Sequence, residues 1–119
     1  MSFKKIFVIL MCVALVPFYV SCKKQSGETI KIGAIFAVTG PASFLGAPEE
    51  KTARMMVDEI NSNGGINGKN LELVVKDSAG SPEKAISFAK QLIEEEKVFA
   101  IIGPSTSGET MKIKTICED

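Results

Sequence analysis

Three short apolar runs, Ile30 to Val38, Leu71 to Lys76 and Val98 to Ile102, each give way to a stretch of helical spacing. That alternation leaves little choice of architecture. Apolar runs with few polar interruptions read as strands buried on both faces. After the first run, Thr39-Gly40-Pro41 makes a turn. From Pro48 onward Ala53, Met56, Val57 and Ile60 fall at i, i+3, i+4 and i+7, one stripe of a helix. Pro48 suits a first helical turn, and Glu49 and Glu50 suit the positive end of the dipole. Asn63-Gly64-Gly65 ends the helix, and Asn67-Gly68 turns the chain. Ser81-Pro82-Glu83 opens a second helix with Ser81 as cap. Its predicted buried stripe is Ala85, Ala89, Leu92 and Ile93, with Ile86 at the margin and Glu94, Glu95 and Glu96 as a solvated end. A third helix starts near Thr106, with Glu109 completing a capping box and Ile113, Ile116 and Cys117 as a partial stripe. The order βαβαβα with short connections predicts an α/β fold. Its parallel sheet has right-handed crossovers and the first strand between the second and third. One domain fits 119 residues, with one half of a doubly wound sheet represented.

Charge and residue usage exclude several chemistries. With 14 basic and 14 acidic side chains the chain has no electrostatic footprint for nucleic acid. It has no His, so no imidazole base and no His-ligated metal site is expected. Three cysteines, Cys12, Cys22 and Cys117, are too few and too scattered for a disulfide framework or an all-cysteine zinc site. The segment Gly64 to Asn70 lacks the spacing and the Ser/Thr of a phosphate-binding loop, and no G-x-G-x-x-G follows the first strand. No cofactor and no metal are expected. Asp77 ends a strand without an acidic pair near the first strand end, which argues against a phospho-acceptor. Cys117, on the apolar side of its helix, is predicted to be a buried thiol.

The first 21 residues read as an address. Lys4 and Lys5 precede an uncharged run from Ile6 to Val20, which Pro17 interrupts and which is shorter than a membrane span. It ends at Tyr19-Val20-Ser21-Cys22, which resembles a bacterial lipobox, with Tyr19 where an aliphatic residue is usual. Residues 1–21 are therefore expected to be a lipoprotein signal peptide, with Cys22 as the lipidated residue. Several acyl chains on Cys22 would anchor the protein stably at a membrane surface. Cleavage removes Cys12 and leaves Cys117 as the one free thiol. Residues 22–29 are polar and read as a tether.

In open parallel sheets, ligands bind beyond the carboxyl ends of the strands. Three loops lie there: Thr39 to Ala47, Asp77 to Pro82 and Gly103 to Gly108. The last places Ser105, Thr106 and Ser107 at a helix N-terminus, where free N–H groups and the dipole suit a carboxylate. These hydroxyls are candidate ligand donors. Equally, Ser105 and Thr106 could only cap the helix, and capping is the stronger reading for Thr106.

Four linked segments carry a family resemblance. They are Ile32-Gly33-Ala34-Ile35-Phe36 with Thr39-Gly40-Pro41; Asp58-Glu59-Ile60-Asn61 with Gly64 to Gly68; Asp77 with Pro82-Glu83-Lys84-Ala85; and Ile102-Gly103-Pro104 with Ser107-Gly108. In this order and spacing, behind a lipoprotein signal, the chain resembles the branched-chain amino-acid (Leu/Ile/Val) type of periplasmic solute-binding protein that serves ABC importers. The resemblance covers Ile30 to Asp119. It implies a type I periplasmic-binding-protein fold with two α/β lobes and a cleft between them, a small carboxylate or amino acid as ligand, a membrane permease as partner, and no chemistry on the ligand. By position Ser107 matches the serine that binds the ligand carboxylate. Leu45, before Gly46, matches a pocket-lining position that is often aromatic. Gly80 stands where some members have cysteine. Members are roughly three times as long, so residues 30–119 are expected to be the N-terminal part of the first lobe. A micromolar site is worth about 8 kcal/mol, and half of one would bind near millimolar, so this stretch alone is expected to bind weakly or not at all. Two other classes remain open on the residues: an exported α/β enzyme whose catalytic groups lie elsewhere, and a sensory ligand-binding module.

Overall fold

The computed structural model describes residues 29–118. The leader, Cys12, Cys22 and the greater part of the tether lie outside them. The elements alternate as expected: β1 (Ile30–Phe36), α1 (Ser43–Ser62), β2 (Leu71–Asp77), α2 (Pro82–Glu94), β3 (Ala100–Ile102) and α3 (Ser107–Glu118). The sheet order is β2-β1-β3, all parallel, with β1 central. Ile30 pairs with Leu71 through to Phe36 with Asp77, and Ile32 to Ala34 pair with Ala100 to Ile102.

The two faces of β1 meet different layers. Ile35 packs with Ala85, Ala89 and Leu92 of α2 and Ile113 of α3 in the buried core. Val74, Ile86, Phe88, Val98, Ile101 and Ile116 close around that cluster. Gly33 lies on the same side of β1, where a Cβ would stand 2.9 Å from Leu92 Cδ1. The missing side chain is what lets α2 lie this low on the strand. On the opposite face Ile32 and Phe36 look toward α1, across a groove of about 860 Å³ that Met56, Ile60 and Ile102 also line.

Several boundaries differ from the sequence reading. β1 stops at Phe36 rather than Val38, and β3 begins at Ala100 rather than Val98. The first helix begins at Ser43, so Pro48 lies inside it rather than in its first turn. The earlier turn forms because Ser43 N–H reaches Gly40 O at 3.1 Å, and Leu45 and Gly46 N–H both reach Ala42 O. Pro48 then costs the single bond its nitrogen would have donated to the preceding turn. Glu49 and Glu50 consequently stand beyond the first turn, where Glu50 pairs with Arg54 at 2.7 Å. Met56, expected in the buried stripe, is 45% exposed along the groove.

On α2 Ile86 sits at the core margin as expected, whereas Ile93, expected in the buried stripe, is exposed. Glu96, expected in a solvated end, is half-buried and pairs with Lys31 at 3.1 Å. Cys117, expected to be buried, is exposed. Ile113 and Ile116 take the inward positions of α3, one turn apart, and leave Cys117 at the edge of the stripe.

Local signals hold elsewhere. Ser81 caps α2, accepting from Lys84 N–H at 3.3 Å, with Pro82 at the first helical position. Asn67 and Gly68 both take positive φ, 52° and 78°, between reciprocal bonds joining Ile66 and Lys69. That is the tight reversal Asn-Gly favours. Asn61 fastens the end of α1 to the start of β2: its amide donates to Leu71 O at 2.9 Å and accepts from Leu71 N–H at 2.7 Å.

Gly46 is buried where the first turn of α1 crosses the backbone of Ala37, and a Cβ there would collide with the Ala37 N, C and O atoms. Gly108, in the first turn of α3, has open space around it. Gly46→Ala is expected to destabilise the fold by about 1–3 kcal/mol, because backbone must move to admit the methyl group. Gly108→Ala is expected to be neutral or to stabilise by up to about 1 kcal/mol. Urea midpoints of the two variants against the parent chain check both signs.

Candidate functional site

Beyond Phe36 the chain leaves the sheet, and three loops meet around it at the carboxyl edge. The loop after β2 supplies Asp77. Its carboxylate accepts from Val38 N–H at 2.9 Å, Thr39 N–H at 3.2 Å, Thr39 Oγ1 at 2.6 Å and Ala79 N–H at 3.0 Å. Partial burial works to raise the Asp77 pKa. The Thr39 hydroxyl and the Ala79, Thr39 and Val38 amides outweigh it, and the pKa sits below the ordinary value of 3.8. Ser78, wholly buried, adds a second tie: its N–H reaches Phe36 O at 2.9 Å and its hydroxyl the same oxygen at 3.3 Å.

The loop after β3 supplies Ser105. Its hydroxyl accepts from Ala37 N–H at 3.0 Å and donates to Glu49 Oε2 of α1. Gly103, at φ 93°, stands where a Cβ would strike Ile35 O, so only glycine brings the loop off β3 this close to the central strand. The Gly103–Pro104 peptide bond is cis.

Thr106 and Glu109 form the cap of α3 in altered form. Thr106 Oγ1 accepts from Glu109 N–H at 3.4 Å, as a capping box requires, but the Glu109 carboxylate takes the Thr106 hydroxyl at 2.6 Å. Glu109 is wholly buried, and its Oε1 has no hydrogen-bond partner among the described residues. The N–H groups of Ser107 and Gly108 precede the point where intrahelical acceptors begin, and are the open donors of this helix end.

The candidate ligand residues are therefore unlike one another. Ser105, Thr106 and Ser107 line one concavity of about 340 Å³ together with Pro104, Thr110 and Met111. Ser105 and Thr106 have their hydroxyls committed to Glu49 and Glu109. Ser107 is exposed at the head of α3. Leu45 does not share that concavity. It lines the apolar groove beside α1, with Glu49 and Gly103. Sequence reasoning missed Glu49 as part of this edge. Its only signal was an acid placed near a helix start, and the contact with Ser105 joins residues far apart in the chain.

Among the described residues no group of three His, Cys, Asp or Glu side chains could hold a metal ion. None of their helices is long and apolar enough to cross a membrane. Cys117 has its thiol pKa raised by partial burial and by the neighbouring Glu118 carboxylate. That disfavours the reactive thiolate.

A parallel sheet whose three loops are stitched together at its carboxyl edge, with a helix N-terminus and an exposed hydroxyl there, defines an open α/β lobe. The family follows from comparison: residues 29–119 match the periplasmic binding protein family, and the chain belongs to it. It is 34% identical over 95 residues to the leucine-, isoleucine-, valine-, threonine- and alanine-binding protein of Pseudomonas aeruginosa, covering 80% of this chain and 25% of that one. The Leu/Ile/Val-binding protein of Escherichia coli is 33% identical over 92 residues, 77% of this chain and 25% of that one. Among solved structures, the substrate-binding protein of a branched-chain amino acid transporter from Streptococcus pneumoniae, in complex with isoleucine, superposes with a TM-score of 0.70. It is 40% identical, over 74% of this chain and 26% of that one. The chain thus spans about a quarter of the length of the relatives it matches. These relatives are binding proteins, and the type I periplasmic-binding-protein fold is the one this chain shares.

The lowered Asp77 pKa fixes the sign of an acid effect. A carboxylate whose folded pKa is depressed stabilises the fold fully above its unfolded value, near pH 4, and loses that contribution as pH falls through the folded value. Asp77→Asn is expected to lower stability near pH 7 by about 1 kcal/mol, since charge-assisted bonds become neutral ones at a partly exposed site. The gap between variant and parent is expected to close below about pH 3. Urea midpoints measured from pH 7 down to the acid limb check both points.

Proposed function

We propose that this chain belongs to the extracytoplasmic substrate-binding component of an ABC importer and holds part of the wall that binds a branched-chain amino acid or a similar small carboxylate. The observation that carries the reading is the sorting of three consecutive hydroxyls. Glu49 holds Ser105 and Glu109 holds Thr106, which leaves Ser107 to meet a ligand at the helix end. A carboxylate there takes the Ser107 hydroxyl and the open N–H groups of Ser107 and Gly108, with the α3 dipole behind them. Leu45 contributes apolar wall from the neighbouring groove on the α1 side, outside the Ser107 concavity. The named ligands of the relatives, Leu, Ile and Val among them, support the same class.

The same reading assigns residues 1–21 to a lipoprotein signal peptide, 22–29 to a tether and 30–119 to the N-terminal part of the first lobe, with a second lobe closing over the ligand. Lipid on Cys22 keeps the protein at the membrane, in the periplasm or at the cell surface, beside its permease. The protein binds and releases its ligand unchanged and uses no cofactor, metal or nucleic acid.

Calorimetric titration of the full-length protein with isoleucine tests the ligand site. Ser107→Ala is expected to weaken binding about ten- to hundredfold, the worth of one hydrogen bond to a charged acceptor. Equal affinities for the variant and the parent would move the site elsewhere. The anchor has its own test: the intact mass of membrane-extracted protein is expected to carry acyl chains on a chain beginning at Cys22. Cys22→Ala is expected to abolish that mass and the membrane association.

A further inference from the structure

Ser105 lines the same concavity as Ser107 and also touches Glu49. Glu49 itself lines the neighbouring groove, so Ser105 stands between its carboxylate and the concavity that holds Ser107 two residues further on. It is half-buried. Glu50, the adjacent acid, is taken by Arg54, whereas Glu49 joins no ion pair among the described residues. A like charge on the far side of Ser105, joined to no cation in an ion pair among the described residues, opposes any ligand of net negative charge. A zwitterion brings its own ammonium and escapes most of that opposition.

We propose that Glu49 is a specificity-determining residue, a charge filter that favours zwitterionic amino acids over plain carboxylic acids of the same shape at the Ser107 site. The proposal rests on the ligand reading above and adds to it a reason for rejecting anions from the lobe that binds the carboxylate. Ser105 is the spacer: by donating to Glu49 and accepting from Ala37 N–H, it fixes the distance between the filter and the site.

The test uses the full-length protein with two probes, isoleucine and its deaminated acid, which keeps the carboxylate and the side chain and lacks the ammonium. The acid is measured by competition. Glu49→Gln keeps an acceptor for Ser105 and removes the charge. It is expected to narrow the ratio of the two affinities about three- to tenfold, by strengthening the deaminated acid. Ser105→Ala keeps the charge but releases it from its fixed place, and is expected to shift the ratio less than Glu49→Gln does, whereas a purely positional role for Glu49 would make the two variants alike. Added salt is expected to narrow the ratio in the parent protein and not in Glu49→Gln. An unchanged ratio in Glu49→Gln, or no detectable binding of the acid to either protein, overturns the filter and leaves isoleucine binding standing. A parent protein that binds neither probe takes down both readings. Should Glu49→Gln not fold, a parent ratio insensitive to salt overturns the filter by itself.

Discussion

Once β1 leaves the sheet after Phe36, its backbone groups have no strand to pair with, and a buried peptide group without a partner is costly. The flanking loops meet that demand. Ala37 N–H finds the Ser105 hydroxyl, Val38 and Thr39 N–H find the Asp77 carboxylate, and Phe36 O finds both donors of Ser78. The partners come from the loops after β2 and β3, so satisfying one strand end draws both to the loop that follows β1. The ligand edge follows from that local requirement. Its hydroxyls, helix end and carboxylates stand side by side because β1 is central and its neighbours run parallel to it.

The repeating parts of the fold were legible in the sequence, and the parts set by contact at a distance were not. Apolar runs gave three strands and their order because a parallel strand buried on both faces has few disguises. Ser81 and Asn67-Gly68 announced themselves through chemistry that acts within four residues. The start of α1 did not. Pro48 is compatible with a first turn, but the Gly40 and Ala42 carbonyls begin the helix earlier, and nothing local in Ser43-Phe44-Leu45 signals it. Burial on α3 was also misjudged at Cys117. A stripe of three apolar positions does not say which two will face the neighbouring helix, and Ile113 and Ile116 take the inward places.

The site shows the same division. The placement of Ser105, Thr106 and Ser107 at a helix N-terminus was readable from Gly103-Pro104 and the capping pattern. Thr106 was also readable as the cap, but the commitment of Ser105 was not, because it depends on Glu49, a residue 56 positions away in the chain. Glu109 was expected to reach the backbone as in a regular capping box. It takes the Thr106 hydroxyl instead, which leaves its second oxygen buried without a partner among the described residues. Family resemblance reached Ser107 and Leu45 by position, yet it could not say that they line separate concavities.

That separation bears on how α1 is held. The two sides of β1 are not equivalent: α2 and α3 pack against Ile35 in a buried core, while the apolar face of α1 looks across an open groove at Ile32 and Phe36. Burial alone therefore does not set the height and rotation of α1. Its position is set at the two ends. Gly46 lies against the Ala37 backbone and Glu49 against Ser105 at one end, and Asn61 grips the Leu71 backbone at the other. Polar contacts are directional where apolar packing is not, so these pins fix a register that the intervening Met56 and Ile60 could not enforce. The pin at Glu49 is also the contact that commits Ser105. The element that orients the first helix and the element that sorts the ligand-edge hydroxyls are one interaction, and a change at either residue is felt at both.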